Sequence, residues 1–266
     1  MHKLLDGKKG IIFGALDDKS IAWKIAEKAR EAGATFTLSN APVALRMGKI
    51  NELAEQCNTK VIAADATKVD ELEALVDQSV ELLGGKLDFI VHSIGMSPNV
   101  RKKRHYTDLN YDYYLKTLDV SAASFHKVLQ TAYKKEAMND WGSILALSYI
   151  AAQKVFPDYG DMADAKAALE SIARSFGYHF GVRNKVRVNT VSQSPTATTA
   201  GSGVTGFDRF FDYADKMSPL GNASAESCAE FCISLLADHS KMITMQNLFH
   251  DGGFSNMGMN PALLDG

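Results

Sequence analysis

Gly10-Ile-Ile-Phe-Gly14, followed after a short turn by Ser20-Ile-Ala-Trp-Lys-Ile-Ala-Glu-Lys-Ala-Arg-Glu-Ala32 and Gly33, is the stretch on which the fold depends. Its first five residues form an apolar run ending in glycine, as a buried parallel strand does. The turn is Ala15-Leu-Asp-Asp-Lys19. Ser20 is a natural N-cap, apolar residues recur at Ile21, Ile25, Ala26 and Ala29, and Gly33 stops the helix. Strand, glycine turn and helix in this order make the phosphate-binding start of a dinucleotide fold. Glycine lets the backbone approach the cofactor, and the helix N-terminus favours an anion. Only Gly14 occupies the G-x-G-x-x-G pattern, so taken alone the stretch also suits any parallel α/β protein.

The alternation continues almost to the end of the chain. Ala34-Thr-Phe-Thr-Leu38, Lys60-Val-Ile-Ala-Ala-Asp65 and Leu87-Asp-Phe-Ile-Val-His-Ser-Ile-Gly95 read as the second to fourth strands. Residues 142–148, Val186-Arg-Val-Asn-Thr-Val-Ser192 and Gln246-Asn-Leu-Phe-His250 read as the fifth to seventh. Helical patterns cover residues 44–56, 69–83, 109–137, 163–180, 207–217 and 225–236, and residues 96–108 are polar and irregular. This order predicts an α/β fold: a Rossmann-like, doubly wound parallel sheet of about seven strands with helices on both faces. A single dinucleotide-binding and catalytic domain over residues 1–266 is expected, without internal repeat or linker. Gln193-Ser-Pro-Thr-Ala-Thr-Thr-Ala-Gly-Ser-Gly-Val-Thr-Gly206 is rich in small residues. It suits a flexible linker or a mobile substrate lid over about 193–220, and its place after a strand favours the lid.

Composition narrows the function classes. The 266 residues are 46% apolar and 23% charged, with a formal net charge of −2, which gives no general basic face for nucleic acid. Arg101-Lys-Lys-Arg104 is a short cationic run that suits a solvated loop, with an anionic partner or carrier protein as the alternative. Cys57, Cys228 and Cys232 are too few for a disulfide framework and read as buried small residues in a reducing compartment. The amino terminus lacks an apolar secretory core and no run is long enough to span a membrane, so a cytoplasmic protein is expected. The sequence gives no sign of a metal site. Tyr111, Tyr113 and Tyr114 read as packing or interface residues.

Chemistry concentrates in Ser148-Tyr-Ile-Ala-Ala-Gln-Lys-Val-Phe-Pro-Asp-Tyr-Gly-Asp-Met-Ala-Asp-Ala-Lys166. Seven residues are almost two helical turns, so Lys166 is expected on the face that carries Tyr159. A tyrosine beside a cation can donate a proton, or a hydrogen bond to a developing oxyanion. An ordinary aromatic with a solvated lysine is the alternative. At the end of the second strand a dinucleotide fold places an acid for NAD or an arginine for NADP. Here Ser39-Asn-Ala-Pro-Val-Ala-Leu-Arg46 offers no acid and only a distant arginine. Asp65, ending the third strand, suits either the adenine edge or a cap on its own turn.

The chain resembles the short-chain dehydrogenase/reductases over almost its full length, and within them the bacterial NAD(P)H-dependent enoyl-acyl-carrier-protein reductases. Gly14 with Ser20-Ile-Ala resembles that family's divergent cofactor turn. His92-Ser-Ile-Gly95, Leu147-Ser-Tyr149, Tyr159-x6-Lys166, Arg187-Val-Asn189 and His250-Asp-Gly-Gly-Phe254 are similar to further family segments. Ketone- and alcohol-handling members usually carry Tyr-x3-Lys, whereas no tyrosine here has a lysine four residues later. Met96 and Ser97 stand where phenylalanine and alanine are common, and Ser194-Pro195-Thr196 where Gly-Pro-Ile is common. The stretch from Asn40 to Leu45 is somewhat similar to the Trp-x-Pro version of NADH-using plastid and apicomplexan relatives.

The resemblance implies reduction of trans-2-enoyl thioesters on acyl carrier protein, with NADH favoured over NADPH, in fatty acid elongation by a homotetramer. It implies Tyr159 as the donor to the thioester oxygen, Lys166 on the nicotinamide ribose, and Tyr149 lining the acyl pocket. Gly14, Ser20 and Ile21 would hold the pyrophosphate, Asp65 and Ala66 the adenine, and Ser93, Ile94 and Gly95 the cofactor ribose. Thr196, Ala197, Thr198, Thr199 and Ala200 would cover the nicotinamide and phosphates. Ser97 would meet substrate through its backbone. A carbonyl reductase and a non-catalytic cofactor sensor on the same fold are the alternatives.

Overall fold

The structure, a computed structural model, describes residues 3–198 and 207–263. Strands β1 (Lys9–Phe13), β2 (Thr35–Asn40), β3 (Lys60–Ala63), β4 (Leu87–His92), β5 (Met138–Ser148), β6 (Arg187–Gln193) and β7 (Asn247–His250) form one sheet in the order β3-β2-β1-β4-β5-β6-β7. Every neighbouring pair is parallel. The apolar runs are explained by burial on both faces, because crossover helices cover a parallel sheet from both sides. Helix α1 (Ile21–Glu31) packs on one face beside α10 (Ala225–Leu236), over Ile12, Leu38, Phe89, Val91 and Leu145. Helices α4 (Val69–Leu82), α7 (Ser124–Lys134) and α8 (Met162–Asn184) cover the other, over Ile11, Phe13, Ile90, Ile144 and Val188. This is the doubly wound architecture expected from the sequence. The strand order reverses direction between β1 and β4, the position at which doubly wound sheets bind their ligands.

Four local expectations need correction. The helical run over 44–56 is two helices, α2 (Pro42–Met47) and α3 (Ile50–Gln56). Gly48 breaks it, because a Cβ there would lie 2.5 Å from the Leu16 carbonyl oxygen, which accepts from the Lys49 amide at 2.7 Å. The irregular stretch contains α5 (Pro98–Arg101), started by Ser97, and a single 3-10 turn at Tyr106–Asp108. The helix expected over 109–137 runs as α6 (Tyr111–Leu118), a π turn at Asp119–Ala123, and α7. Finally, Tyr159 is not on the helix that carries Lys166. It ends a 3-10 turn, Pro157–Tyr159, and Gly160 at φ +52° reverses the chain before α8 begins. Tertiary placement, not two turns of helical spacing, relates the two residues.

The three cysteines are free and buried, and burial pushes the Cys57 thiol up to about 11. Among the described residues no helix is long and apolar enough to cross a membrane, and no group of metal-ligating side chains is placed to hold an ion. Tyr111 is exposed at one end of α6, edge-on to Tyr114, while Lys102 lies over the Tyr113 ring.

Candidate active site

The cofactor end begins where β1 and β4 come together. Gly14 has φ +96°, and a Cβ there would lie 2.1 Å from the Ser93 carbonyl oxygen. Only glycine admits both that conformation and that contact. The Gly14 amide donates to the Ser39 carbonyl at 3.0 Å and the Ser93 amide to the Phe13 carbonyl at 3.3 Å, so three strand ends are fixed together.

Ser20 occupies the N-cap position, but its hydroxyl does not cap α1. It accepts from the Leu16 amide at 3.2 Å and donates to the Asp17 carbonyl at 2.6 Å, closing the turn instead. The positive end of α1 therefore has no side-chain cap, which fits an anion arriving beside Ile21. Asn40 turns back to donate to the Ala15 carbonyl at 2.9 Å. The glycine turn, the end of β2 and the first turn of α1 thus form a cradle suited to a dinucleotide.

Asp65 caps its own turn, accepting from the Thr67 amide at 3.0 Å and the Thr67 hydroxyl at 2.8 Å. Partial burial works against its charge, but those bonds and the Lys68 and Lys127 cations hold its carboxyl below the usual range. Ala66 is buried in the core of the α4 face.

At the end of β5 the chemistry-bearing residues converge. Tyr149 and Tyr159 have ring centroids 4.9 Å apart at 49°. Phe156 stands 5.4 Å from Tyr149, and Phe210 of α9 (Phe207–Met217) 6.1 Å from it, edge-on. Burial pushes both tyrosine hydroxyls well above their ordinary range, so both hold their protons at neutral pH. The Tyr149 hydroxyl is buried without a hydrogen-bond partner. A buried donor left unpaired is costly, and a bound carbonyl would remove that cost.

Lys166 is buried on the second turn of α8 and donates to the Leu147 carbonyl at 2.6 Å. Burial pulls its ammonium down to about 8, against the Glu170 carboxylate, which favours the charge. It is thus not a solvated surface lysine. A Cβ built on Gly95 would lie 3.8 Å from Lys166 Nζ and 3.3 Å from Met162 Cε, so the end of β4 lies against the lysine. Ile94 packs against the same core face as α8. His92, the last residue of β4, is fully buried and bonded to Ser124 at 2.9 Å. Burial, helped by the Lys166 cation, holds its imidazole down at about 3, so it is neutral.

After β6, Thr196 donates to the Ser194 carbonyl at 2.9 Å, and the Thr198 amide donates to the Thr196 carbonyl at 2.7 Å. Ala197 between them is exposed. The candidate residues Thr199 and Ala200 lie outside the described residues. Ser97 is buried, its hydroxyl donating to Asp161 and its carbonyl accepting from the Arg101 amide.

Sequence reasoning missed Glu170 and Asp161. Glu170 is buried and accepts from Ser148 Oγ at 2.7 Å and Gln153 Nε2 at 3.1 Å. Its position four residues after Lys166, one turn along the same face, is a signal that helical spacing could have yielded. Asp161 has no comparable local signal.

A family model described as enoyl-(acyl carrier protein) reductase matches residues 14–255. The enoyl-[acyl-carrier-protein] reductase [NADH] 1 of Rhizobium meliloti strain 1021 is 35% identical over 258 residues, covering 96% of this chain and 93% of that protein. Among solved structures, the FabI–NADH complex from Alistipes finegoldii aligns with a TM-score of 0.97 at 62% identity, covering 98% of this chain and 92% of that one. FabI from the same organism, in a second structure, aligns with a TM-score of 0.95 at 58% identity, covering 100% and 96%.

Proposed function

The chain belongs to the enoyl-acyl-carrier-protein reductase family, and from that premise we infer that Tyr159, Lys166 and Tyr149 carry its reaction. It is an NADH-dependent oxidoreductase of fatty acid synthesis that reduces trans-2-enoyl thioesters borne on acyl carrier protein to saturated acyl thioesters. The family assignment displaces the carbonyl-reductase and sensor alternatives.

NADH, when bound, supplies the hydride that reaches the β-carbon of the substrate. The residues present fit it: the α1 terminus without a side-chain cap leaves backbone donors for a phosphate, and Lys166 beside Gly95 brings a cation to the strand ends. Gly14, Ser20 and Ile21 hold the pyrophosphate in this reading. Asp65 and Ala66 flank the adenine. Ser93, Ile94 and Gly95 line the ribose. Thr196, Ala197 and Thr198 meet the nicotinamide and the phosphates. Lys166 has three donors, of which one goes to Leu147, leaving others for ribose hydroxyls.

Hydride addition places negative charge on the thioester oxygen. Only contacts stronger in that transition state than in the ground state accelerate the step. Tyr159 donates to this oxygen, with the Lys166 cation keeping the local potential positive. Tyr149 lines the acyl pocket beside it, together with Phe156 and Phe210. Ser97 borders the pocket by its backbone. The observation that carries this reading is the pair of tyrosines, both held protonated by burial, with one hydroxyl lacking any partner.

The test is oxidation of NADH and, in parallel, NADPH by a short trans-2-enoyl thioester. Turnover with NADH is expected. Tight NADH binding without turnover of any enoyl thioester, free or carrier-linked, would refute the reading.

We further propose one catalytic domain over residues 1–266, a cytoplasmic location and a homotetramer. The last is supported by the outer side of α7 and α8. There His126, Ile172, Phe176 and His179 line a groove of about 430 Å³, with Tyr178 and Val182 exposed nearby.

A further inference from the structure

Asp161 is a fully buried carboxylate with no part in the roles above, two residues beyond Tyr159. Three side chains aim donors at it. Ser97 Oγ lies 2.5 Å from Oδ1, while Asn99 Nδ2 and Thr117 Oγ1 each lie 2.8 Å from Oδ2. All three are themselves buried. Among the described residues no ion pair involves Asp161. Burying a carboxylate is costly unless donors replace its water, and here three side-chain hydrogen bonds do so without a counter-charge.

The donors reach Asp161 from separate elements. Ser97 and Asn99 belong to the segment that leaves Gly95 at the end of β4, and Thr117 belongs to α6. Asn99 is held in turn by Asn110, whose amide donates to Asn99 Oδ1 at 3.1 Å and whose side chain caps α6. Val100 of the same segment lies against the reversal after Tyr159: a Cβ built on Gly160 would meet Val100 Cγ2 at 3.3 Å. Tyr159 itself sits in a lone 3-10 turn followed by a glycine at positive φ, so no helical ladder fixes its place. One carboxylate therefore joins the segment that leaves the cofactor-lining end of β4, helix α6 and the tyrosine turn.

We propose that Asp161 is a positioning residue that sets the Tyr159 hydroxyl relative to the cofactor-lining end of β4. The inference rests on Tyr159 as the donor to the thioester oxygen. Freed of this tie, the turn shifts, and a displacement on the order of 1 Å in a catalytic group costs roughly a hundredfold in rate.

The test is a double-variant cycle on the full-length protein. Asp161→Ala is expected to lower kcat about tenfold to a hundredfold. NADH affinity, read by fluorescence titration, should fall less than kcat, since Gly14 and the α1 terminus do not touch Asp161. Because Asp161 acts through Tyr159, its effect should vanish in a Tyr159→Phe background, leaving the double variant no slower than Tyr159→Phe alone. A purely structural role predicts instead that the losses multiply, and that result would overturn the inference. So would wild-type kcat in a folded Asp161→Ala. Should Asp161→Ala not fold, Ser97→Ala removes a single donor and gives the same cycle with a severalfold loss. Full turnover by Tyr159→Phe alone would strike at the donor role of Tyr159, a separately readable failure that removes the ground of this proposal as well.

Discussion

Replacing Gly14 by alanine should uncouple cofactor binding from the rest of the fold. Two costs arise from the geometry. The residue sits at φ +96°, where an L side chain is strained by about 1–2 kcal/mol. The new Cβ would also lie 2.1 Å from the Ser93 carbonyl oxygen. An ordinary carbon–oxygen contact needs about 3.3 Å, so β1 and β4 must part by roughly 1.2 Å at their ends. That is the crevice in which the pyrophosphate and ribose are proposed to lie. A displacement of this size in a positioning element is worth roughly a hundredfold. NADH affinity, measured by fluorescence titration below the melting transition, is expected to weaken by about ten- to a hundredfold. Differential scanning fluorimetry should show Tm lower by roughly 5 °C, since 1 kcal/mol moves a domain of this size by about 2–4 °C. A Gly14→Ala protein that binds NADH within about threefold of wild type would refute the placement of the cofactor against the β1–β4 edge.

Other expectations are narrower. Tyr159→Phe removes one oxyanion donor, typically worth about 2.7–4 kcal/mol, so kcat should fall roughly a hundredfold or more with NADH affinity unchanged; activity near wild type would exclude the role. The Lys166 ammonium, held near 8 by burial, should lose its charge as pH rises through that value, so kcat/KM for the enoyl thioester should fall on the alkaline side. Glu170→Gln removes the carboxylate that favours the charge and should move this limb to lower pH; an unmoved limb would separate the two residues. The sign for stability is opposite: between about 8 and 10.5 the unfolded chain holds more protons on this lysine, so unfolding free energy should rise with pH, as denaturant titration would register. His92, neutral in the fold down to about 3 but ordinary at 6.5 when unfolded, should add stability that is complete above pH 6.5 and lost as pH falls toward 3. A His92→Gln variant with unchanged acid sensitivity would remove that assignment.

Much of the site was legible because its signals are local. Gly14 was read as the glycine that ends an apolar strand and permits a close backbone approach, and in the structure it sits at φ +96° against the Ser93 backbone. Tyr149 and Tyr159 could be paired with Lys166 from one stretch of chain. The geometry behind that pairing was misread, however. Spacing suggested one helix face, whereas the chain reverses at Gly160 and the helix starts at Met162. Ser20 was legible as a cap by residue type, yet its hydroxyl closes the preceding turn, because the Asp17 carbonyl and Leu16 amide compete for it at short range. Asp65 was open between two roles, and it accepts from Thr67, two residues on, at the end of β3 where the adenine is proposed to lie.

By itself the sequence determined the strand-and-helix alternation, the parallel sheet and the candidates proposed to bear the chemistry. Apolar runs, glycine turns and helix periodicity are set by the backbone within a few residues and need no knowledge of distant partners. Only the tertiary structure decided that Lys166 is buried, that Tyr149 keeps an unpartnered hydroxyl, and that Asp161 draws in Ser97, Asn99 and Thr117. Those donors stand 64, 62 and 44 residues from the carboxylate in sequence. Desolvation and hydrogen bonding across such separations depend on how β4, α6 and α8 pack, and no local pattern of residues records that packing.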